Sequence, residues 1–352
     1  MKRKLSVFAI LVICVLLCMA ISACNTAPGN SPATAPPATG NATTPTAPPS
    51  GSTEAPAPIK IGNLSMGTAN SGGTYYIIGA GLASIWNNVL DANVTAEVTA
   101  GATENIRLMN ANEMQIGIIS AEDADLAVRG GNERYPESYE IMAVLPLYPN
   151  VLQPIVLENS SIRSLNDVIG KKVAVGAAGG GVYTMNQLML NVLGIDIKND
   201  ITPYEIGFGD AATSMKDGTI DCSWQTTGAP NSAFLELEAT NAIRLLAPNA
   251  EELRTLLNLD YYYEVTIPAG TYASMKEDIQ TVGSWCLLSC MADADEEVVY
   301  QLIKSIFENL NQVHEIHAAA NYIQSENLIY ADIEYHPGAI RYFEEQGWTY
   351  LK

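Results

Sequence analysis

Residues 59–352 alternate between short apolar runs typical of β-strands and longer runs whose apolar residues recur at helical spacing. Ile59 to Leu64 predicts a strand, and the apolar residues from Ile78 to Leu90 predict the helix that follows it. Val94 to Thr99 and Ile116 to Ile119 predict two more strands. This order predicts an α/β fold with parallel sheets and helices on both faces. A segment of this length can form two lobes or one large unit.

Other helices are predicted from their capping residues and their periodicity. A short helix is predicted from Thr103 to Met109, with Thr103 as its N-cap. Ser164 and Asp167 have the spacing of a capping box and predict another helix start. Residues Glu296 to Val313 repeat apolar side chains at helical spacing, which predicts one long amphipathic helix with a packing role.

Four loops are candidates for a ligand site. In α/β sheets, ligands bind beyond the carboxyl ends of the strands, where loops meet helix N-termini. The loops of unusual composition at such places are Ser65–Thr74, Gly101–Asn105, Gly176–Thr184 and Gln225–Asn231. We therefore expect a small molecule to bind where these loops meet.

The first loop combines glycines with hydroxyl groups at a predicted helix start. It contains Gly72, Gly73, Thr74, Tyr75 and Tyr76. Free backbone N–H groups at a helix start favour an anion, and glycines let the anion approach closely. Thr74 can donate through its hydroxyl, and each tyrosine offers an apolar ring with a polar tip. The alternative is a plain turn with the two tyrosines in the core.

A second glycine loop precedes the helix predicted from Val182. Gly179, Gly180 and Gly181 follow a predicted strand. The loop lacks the Lys-Ser or Lys-Thr pair of a phosphate-binding loop and the Gly-x-Gly-x-x-Gly spacing of a dinucleotide site. Two helix starts aimed at one carboxylate stabilise it by roughly 0.3–2 kcal/mol each. The pattern therefore favours a small carboxylate over a nucleotide.

Catalytic patterns are sparse. His314 and His317 lack the spacing of a zinc protease motif, and no Gly-x-Ser-x-Gly nucleophile motif is present. The two histidines are more typical of exposed helix residues, with a metal clip as the alternative. The acidic stretch from Glu122 to Asp125 is typical of a solvated helix start. We expect no enzyme, no metal and no cofactor.

The N-terminus predicts export. Three basic residues precede the apolar run Leu5 to Ala20, which is shorter than the ~20 residues that cross a bilayer. This pattern indicates a signal peptide over residues 1–23. Residues 24–58 are rich in Pro, Ala and Thr, which predicts a disordered tether.

Charge and cysteine content narrow the partners and the redox chemistry. The formal net charge of −20 argues against nucleic acid as a partner. Outside the predicted signal and its junction, Cys222, Cys286 and Cys290 form an odd set that argues against a disulfide framework. Cys286 and Cys290 are more typical of buried small residues, with a disulfide between them as the alternative.

Two resemblances add to these patterns. Residues 21–24, Ile-Ser-Ala-Cys, resemble a lipobox, in which the cysteine, here Cys24, carries the lipid. The folded part from about Ile59 to Gly347 resembles the TAXI family, the solute-binding subunits of tripartite ATP-independent periplasmic (TRAP) transporters. The motifs that carry it are Gly72–Tyr76, Gly101–Leu108, Leu147–Pro149, Gly170–Gly176, Asp217–Asp221, Thr227–Pro230, Pro268–Tyr272 and His336–Ile340.

The TAXI resemblance implies a two-lobed periplasmic-binding-protein fold of type II character, with the ligand in a cleft between the lobes. Family members bind glutamate-like amino acids or other carboxylates. The ligand residues implied here are Gly72, Gly73, Thr74, Tyr75, Tyr76 and Asn105 in the first lobe, and Gly179, Gly180, Gly181, Val182, Tyr183, Thr226, Thr227, Gly228 and Pro230 in the second. Where the family has Gly-Ser-Gly-Thr, this chain has Gly-Gly-Gly-Val at residues 179–182, so two hydroxyl donors are missing.

The lobes are expected at residues 59–150 with 280–352 for lobe I, and 151–279 for lobe II. The implied partners are a small anionic solute, a TRAP permease and, through the lipid, the outer face of the cytoplasmic membrane. Two alternatives remain: a binding lipoprotein of an ATP-driven importer or chemosensory system, and an anchored enzyme.

Overall fold

The computed structural model describes residues 60–351. The predicted signal peptide, Cys24 and the predicted tether lie outside the described residues. The strands are β1 Lys60–Gly67, β2 Asp91–Glu97, β3 Ile116–Ser120, β4 Ile141–Leu157, β5 Lys172–Ala174, β6 Thr202–Tyr204, β7 Cys222–Thr227, β8 Ile243–Leu245, β9 Tyr263–Ile267 and β10 Ile279–Met291. The α-helices are α1 Thr74–Val89, α2 Ala102–Asn110, α3 Ala121–Arg129, α4 Gly181–Val192, α5 Phe208–Lys216, α6 Ser232–Glu238, α7 Ala250–Leu256, α8 Glu296–Glu308, α9 Leu310–Ile316 and α10 Pro337–Gln346. Short 3-10 helices span Leu165–Val168, Ala318–Tyr322 and Ser325–Asn327.

The strands form one mixed sheet. Its order is β2-β1-β3-β10-β4-β7-β5-β6, with β8 beside β4 and β9 beside β10. The two ends of the sheet, β2-β1-β3 and β7-β5-β6, are parallel as predicted. The centre contradicts the all-parallel prediction, because β10 is antiparallel to both β3 and β4, and β4 is antiparallel to β7. Apolar periodicity cannot reveal this, since parallel and antiparallel buried strands share the same pattern.

The buried apolar side chains fall into three clusters. The first takes its members from residues 66–148 and 285–343. The second and third take theirs from residues 151–282 and lie against the other end of the sheet. We call the part around the first cluster the outer half, since it holds both ends of the described chain, and the part around the other two the middle half. Strands β4 and β10 run through both halves and pair with each other.

Several local predictions need correction. Helix α2 begins after Gly101 and not after Thr103, whose hydroxyl instead bonds to Asp123 at 3.4 Å. The capping box of Ser164 and Asp167 is present, but it opens a 3-10 helix. The predicted long helix from residue 296 is broken at Asn309, where φ is −118° and ψ is 28°. The Asn309 side chain donates to the Ser305 carbonyl at 2.8 Å, which satisfies the last turn of α8 and favours ending it there.

Two further features of the described residues are the state of the cysteines and the lengths of the helices. Cys222, Cys286 and Cys290 are free and buried, which confirms their prediction as small core residues over a disulfide. Within residues 60–351, every helix is too short or too polar to span a bilayer.

Candidate functional site

A cavity of about 50 Å³ lies between the outer half and the middle half. A water molecule needs about 10–15 Å³ on this scale, so the cavity has room for a small solute and not for a peptide. Its lining residues are Ala69, Asn70, Gly73, Thr74, Tyr75, Ala100, Gly101, Ala102, Ser120, Asp123, Asn150, Gly176, Ala177, Gly180, Gly181, Val182, Met185, Gly207, Phe208, Gln225, Thr226 and Thr227.

Four helices begin at this cavity, two from each half. The N-caps of α1, α2, α4 and α5 are Gly73, Gly101, Gly180 and Gly207, and all four line the cavity. None of these caps has a side-chain hydrogen bond to its helix. The first N–H groups of a helix have no partner inside it, and the helix dipole adds positive potential there. The cavity wall is therefore rich in backbone donors that attract an anion.

Side-chain hydroxyls add further donors from the outer half. Thr74 is buried at the start of α1. The next residue, Tyr75, accepts a hydrogen bond from the Asn150 amide at 3.2 Å. Burial raises the pKa of Tyr75 well above its ordinary value. The phenol therefore stays neutral beside the cavity.

The two halves touch each other across the cavity. The hydroxyls of Thr74 and Thr227 lie 3.4 Å apart, and Ser232 donates to the Gly72 carbonyl at 3.1 Å. Glycines make this approach possible: a Cβ atom on Gly228 would lie 2.7 Å from Thr74 Cγ2, and one on Gly180 would lie 3.2 Å from the Ala100 carbonyl oxygen. The structure therefore shows the cavity closed.

Asp123 places a carboxylate in the cavity wall. Its Oδ1 accepts from Tyr135 at 3.0 Å and forms an ion pair with Arg134. Its Oδ2 accepts from Ser120 at 3.0 Å and faces Gly181, where a Cβ atom would lie 3.3 Å away. Asp123 is the only one of the lining residues with a charged side chain. The net effect is a cavity with backbone donors on several sides and negative charge on one.

The prediction of a solvated helix start at Glu122 to Asp125 is therefore wrong for its first two residues. They begin α3 as predicted, but Glu122 is 7 % exposed and Asp123 is 1 % exposed. The reason is that Arg134 and Tyr135, from the loop after α3, both bond to Asp123. Arg134 also lies 3.9 Å from Glu122, which accepts its hydrogen bond from the Tyr262 hydroxyl at 3.3 Å. Burial, together with the negative charge of Asp123, raises the pKa of Glu122 to about 7.

Gln225 is the lining side chain with unused hydrogen-bonding groups. It is fully buried on β7, and neither Nε2 nor Oε1 has a hydrogen-bond partner in the described structure. Leaving a buried polar group unpaired costs about 1–3 kcal/mol. By contrast, Gln153, its neighbour on β4, donates to the Thr227 carbonyl at 2.9 Å and accepts from Tyr272 at 2.6 Å.

Comparison with known proteins identifies the family. A model of the NMT1-like family matches residues 66–347, most of the described chain. The chain belongs to the NMT1-like family.

The fold of this NMT1-like chain is the α/β fold of periplasmic solute-binding proteins. A solved structure described as a periplasmic transporter has a TM-score of 0.50 and 14 % identity over 81 % of this chain and 92 % of that one. The periplasmic aliphatic sulphonate-binding protein SsuA from Escherichia coli has a TM-score of 0.44 and 13 % identity, over 80 % of this chain and 82 % of that one. A TctC solute-binding protein from Polaromonas has a TM-score of 0.45 and 14 % identity, over 74 % of this chain and 88 % of that one. At these identities the likeness concerns the fold alone.

The structure brings about half of the predicted ligand residues of the NMT1-like chain to the cavity, and all four predicted loops contribute. Those that line it are Gly73, Thr74, Tyr75, Gly180, Gly181, Val182, Thr226 and Thr227. Those that do not line it are Gly72, Tyr76, Asn105, Gly179, Tyr183, Gly228 and Pro230. Some of the latter support the cavity from behind, since the carbonyls of Gly72 and Gly228 accept the hydrogen bonds that join the two halves.

Asn105 is a hydrogen-bonding hub behind the cavity. Its side-chain amide donates to the carbonyls of Thr68 and Ile118, both at 2.8 Å, and accepts from Thr99 at 2.7 Å. It is fully buried. These bonds tie α2 to β3 and to the loop after β1, so they position the start of α2 at the cavity.

Sequence reasoning missed four lining residues in particular: Asp123, Asn150, Phe208 and Gln225. Gln225 is the first residue of a predicted ligand loop, so its place in that loop could have identified it as a ligand residue. Asn150 lies inside the long strand β4 and gave no local signal. Gly207 before Phe208 marks a glycine-capped helix start like the two that were recognised, which is the pattern that could have found that loop.

Proposed function

We propose that the chain is an extracytoplasmic solute-binding lipoprotein that captures a small carboxylate or amino acid for a TRAP-type secondary transporter. The observation that carries the proposal is the meeting of four glycine-capped helix starts at one small closed cavity. Backbone donors from two halves of the fold can surround one carboxylate, and their dipoles favour its charge.

The proposed movement is closure of two lobes around the solute. We assign lobe I to residues 59–150 and 280–352, and lobe II to residues 151–279. The distribution of the buried clusters supports this division, because the outer half draws on residues 66–148 and 285–343. Strands β4 and β10 carry the chain between the halves and are the proposed hinge. The solute shifts the equilibrium towards the closed form only by the difference between its affinities for the closed and open forms.

Location and partner rest on the resemblances. A signal peptide over residues 1–23 and a lipid on Cys24 would hold the protein at the outer face of the cytoplasmic membrane, with residues 24–58 as a tether. The TAXI resemblance supports a TRAP permease as the partner. A permease gene beside the gene for this chain would support that partner, and an importer ATPase gene there would oppose it.

The test of the solute class is a thermal-shift screen of the full chain with carboxylates, amino acids, sugars and inorganic anions. A ligand at 100 times its dissociation constant stabilises the folded state by about 2.7 kcal/mol. We expect selective stabilisation by carboxylates. Stabilisation by neutral or cationic solutes alone would contradict the proposal.

A further inference from the structure

The cavity contains one side chain whose hydrogen-bonding capacity the fold leaves unused. Among the buried side chains of residues 60–351 that have an unpartnered polar atom, Gln225 is the one that lines the cavity. Both its donor, Nε2, and its acceptor, Oε1, are unpaired. Native proteins pair nearly all buried polar groups, so such an exception at a ligand site points to the ligand.

Nearby buried amides show that the fold can satisfy such groups when they serve structure. Asn186 on α4 is fully buried, donates to the Val175 and Trp224 carbonyls at 3.1 and 2.8 Å, and accepts from Thr226 at 2.7 Å. Gln153 is paired at both ends of its amide. Gln225 lies between these residues on β7 and shares none of their bonds.

We propose that Gln225 determines specificity by binding a hydroxyl or carboxamide group of the solute, so that the solute is a carboxylate with one such non-ionised polar group. The inference rests on the proposed function, since helix starts hold the carboxylate. A hydroxyl or a carboxamide both donates and accepts, so it pairs with Nε2 and Oε1 together. A second carboxylate only accepts and an ammonium only donates, so either leaves one atom of Gln225 unpaired.

The charges of the cavity wall point the same way. Asp123 carries the one charged side chain among the lining residues, and its Oδ2 faces Gly181 at the start of α4. No lining residue is Lys, Arg or His, so a second carboxylate on the solute has no cationic side chain to meet it.

The test compares four solutes that share a carboxylate and differ at the other end: butyrate, 4-hydroxybutyrate, succinamate and succinate. Binding to the full chain is measured by isothermal titration calorimetry, together with the homologues one carbon shorter. We expect the hydroxyl and carboxamide members to bind at least about tenfold more tightly than both the methyl and the dicarboxylate members, because a site built to bond a polar group rejects analogues without it.

A substitution at Gln225 tests whether this residue causes the preference for a hydroxyl or carboxamide group. Gln225→Met keeps the side-chain volume and removes the amide, so succinamate affinity falls at least about tenfold while butyrate affinity changes less than about threefold. Gln280→Met, at an exposed glutamine on β10, is the matched control and changes neither affinity.

The outcomes separate the two proposals. Equal binding of succinate and succinamate, or an equal loss for all solutes in Gln225→Met, overturns the role of Gln225 and leaves the proposed function standing. If none of the series binds and no carboxylate or amino acid of the wider screen stabilises the chain, the proposed function fails and this inference fails with it.

Discussion

At the scale of single residues, the start of α3 shows how burial turns a common surface pattern into part of a site. Glu122 and Asp123 are typical of a solvated first turn by sequence alone. Arg134 and Tyr135, more than ten residues later in the chain, fold over them and exclude water. Asp123 then becomes an ion-paired carboxylate in the cavity wall, and the pKa of Glu122 is raised to about 7.

Glu122 makes stability depend on pH. An unfolded glutamate ionises near pH 4.5, whereas the folded state raises the pKa of Glu122 to about 7, chiefly by burial. The folded state binds more protons between these values, so its stability decreases as pH rises through that range. Glu122→Gln removes this decrease, and we expect the variant to be more stable than the wild type by about 1–3 kcal/mol at pH 8.

Urea unfolding of both proteins at pH 5 and pH 8 measures this effect. Glu113→Gln, at an exposed glutamate, is the control. Parallel pH profiles for the wild type and Glu122→Gln would show that Glu122 ionises normally in the folded chain.

Asn105 can be tested for whether it positions α2 or contacts the ligand. Its three hydrogen bonds join α2 to β3 and the loop after β1. Asn105→Ala leaves two buried carbonyls unpaired, so we expect a loss of about 2–4 kcal/mol in the free energy of unfolding. Asn63→Ala, at an exposed asparagine, serves as the control and costs less than about 0.5 kcal/mol.

Solute affinity, measured on the folded fraction of Asn105→Ala, distinguishes the two roles. A change below about threefold fits a positioning role behind the cavity. A large affinity loss in well-folded protein would make Asn105 a ligand residue, as the TAXI resemblance implies.

At the scale of elements, glycine is the residue that builds the cavity, because it lets helix starts from both halves approach one another. Gly180 has an ordinary φ of −84°, so it is required by space and not by backbone conformation. A Cβ atom there would lie 3.1 Å from the Ala177 carbonyl oxygen and 3.2 Å from that of Ala100. The second of these atoms belongs to the opposite half.

Gly180→Leu tests this close approach. The added side chain holds the halves apart, and we expect solute affinity to fall at least about tenfold, since closure completes the contacts. Gly209→Leu is the matched control: Gly209 is exposed, and a Cβ atom there meets nothing within 4 Å, so affinity changes little. Unchanged affinity in Gly180→Leu, measured by calorimetry, would remove the start of α4 from the site.

Elements and their loops were predictable from sequence where one local pattern decides them. The first two glycine loops carry their signal within a few residues, and both reach the cavity. Asn150 and Asp123 reach it only through tertiary packing, the first from inside β4 and the second under Arg134. The break at Asn309 is local, but the apolar periodicity continues across it and hides it.

At the scale of the whole molecule, two long central strands explain how one sheet can serve two halves. The parallel ends follow from the β–α–β order, and the antiparallel centre arises because β10 returns against both β3 and β4. The apolar periodicity of the sequence predicted the alternating strands and helices, but not the antiparallel direction of the central strands. The consequence for function is that the cavity lies between two halves that have separate buried clusters and are joined by β4 and β10. This arrangement allows closure without disturbing the core of either half.

The most direct test of carboxylate binding at the helix starts is a crystal structure of the chain with the best-binding carboxylate of the screen. We expect the carboxylate between the starts of α1, α2, α4 and α5, with its oxygens about 2.7–3.2 Å from backbone N–H groups of at least two of these helices. A carboxylate bound elsewhere, or held in the cavity without backbone N–H contacts, would contradict this expectation.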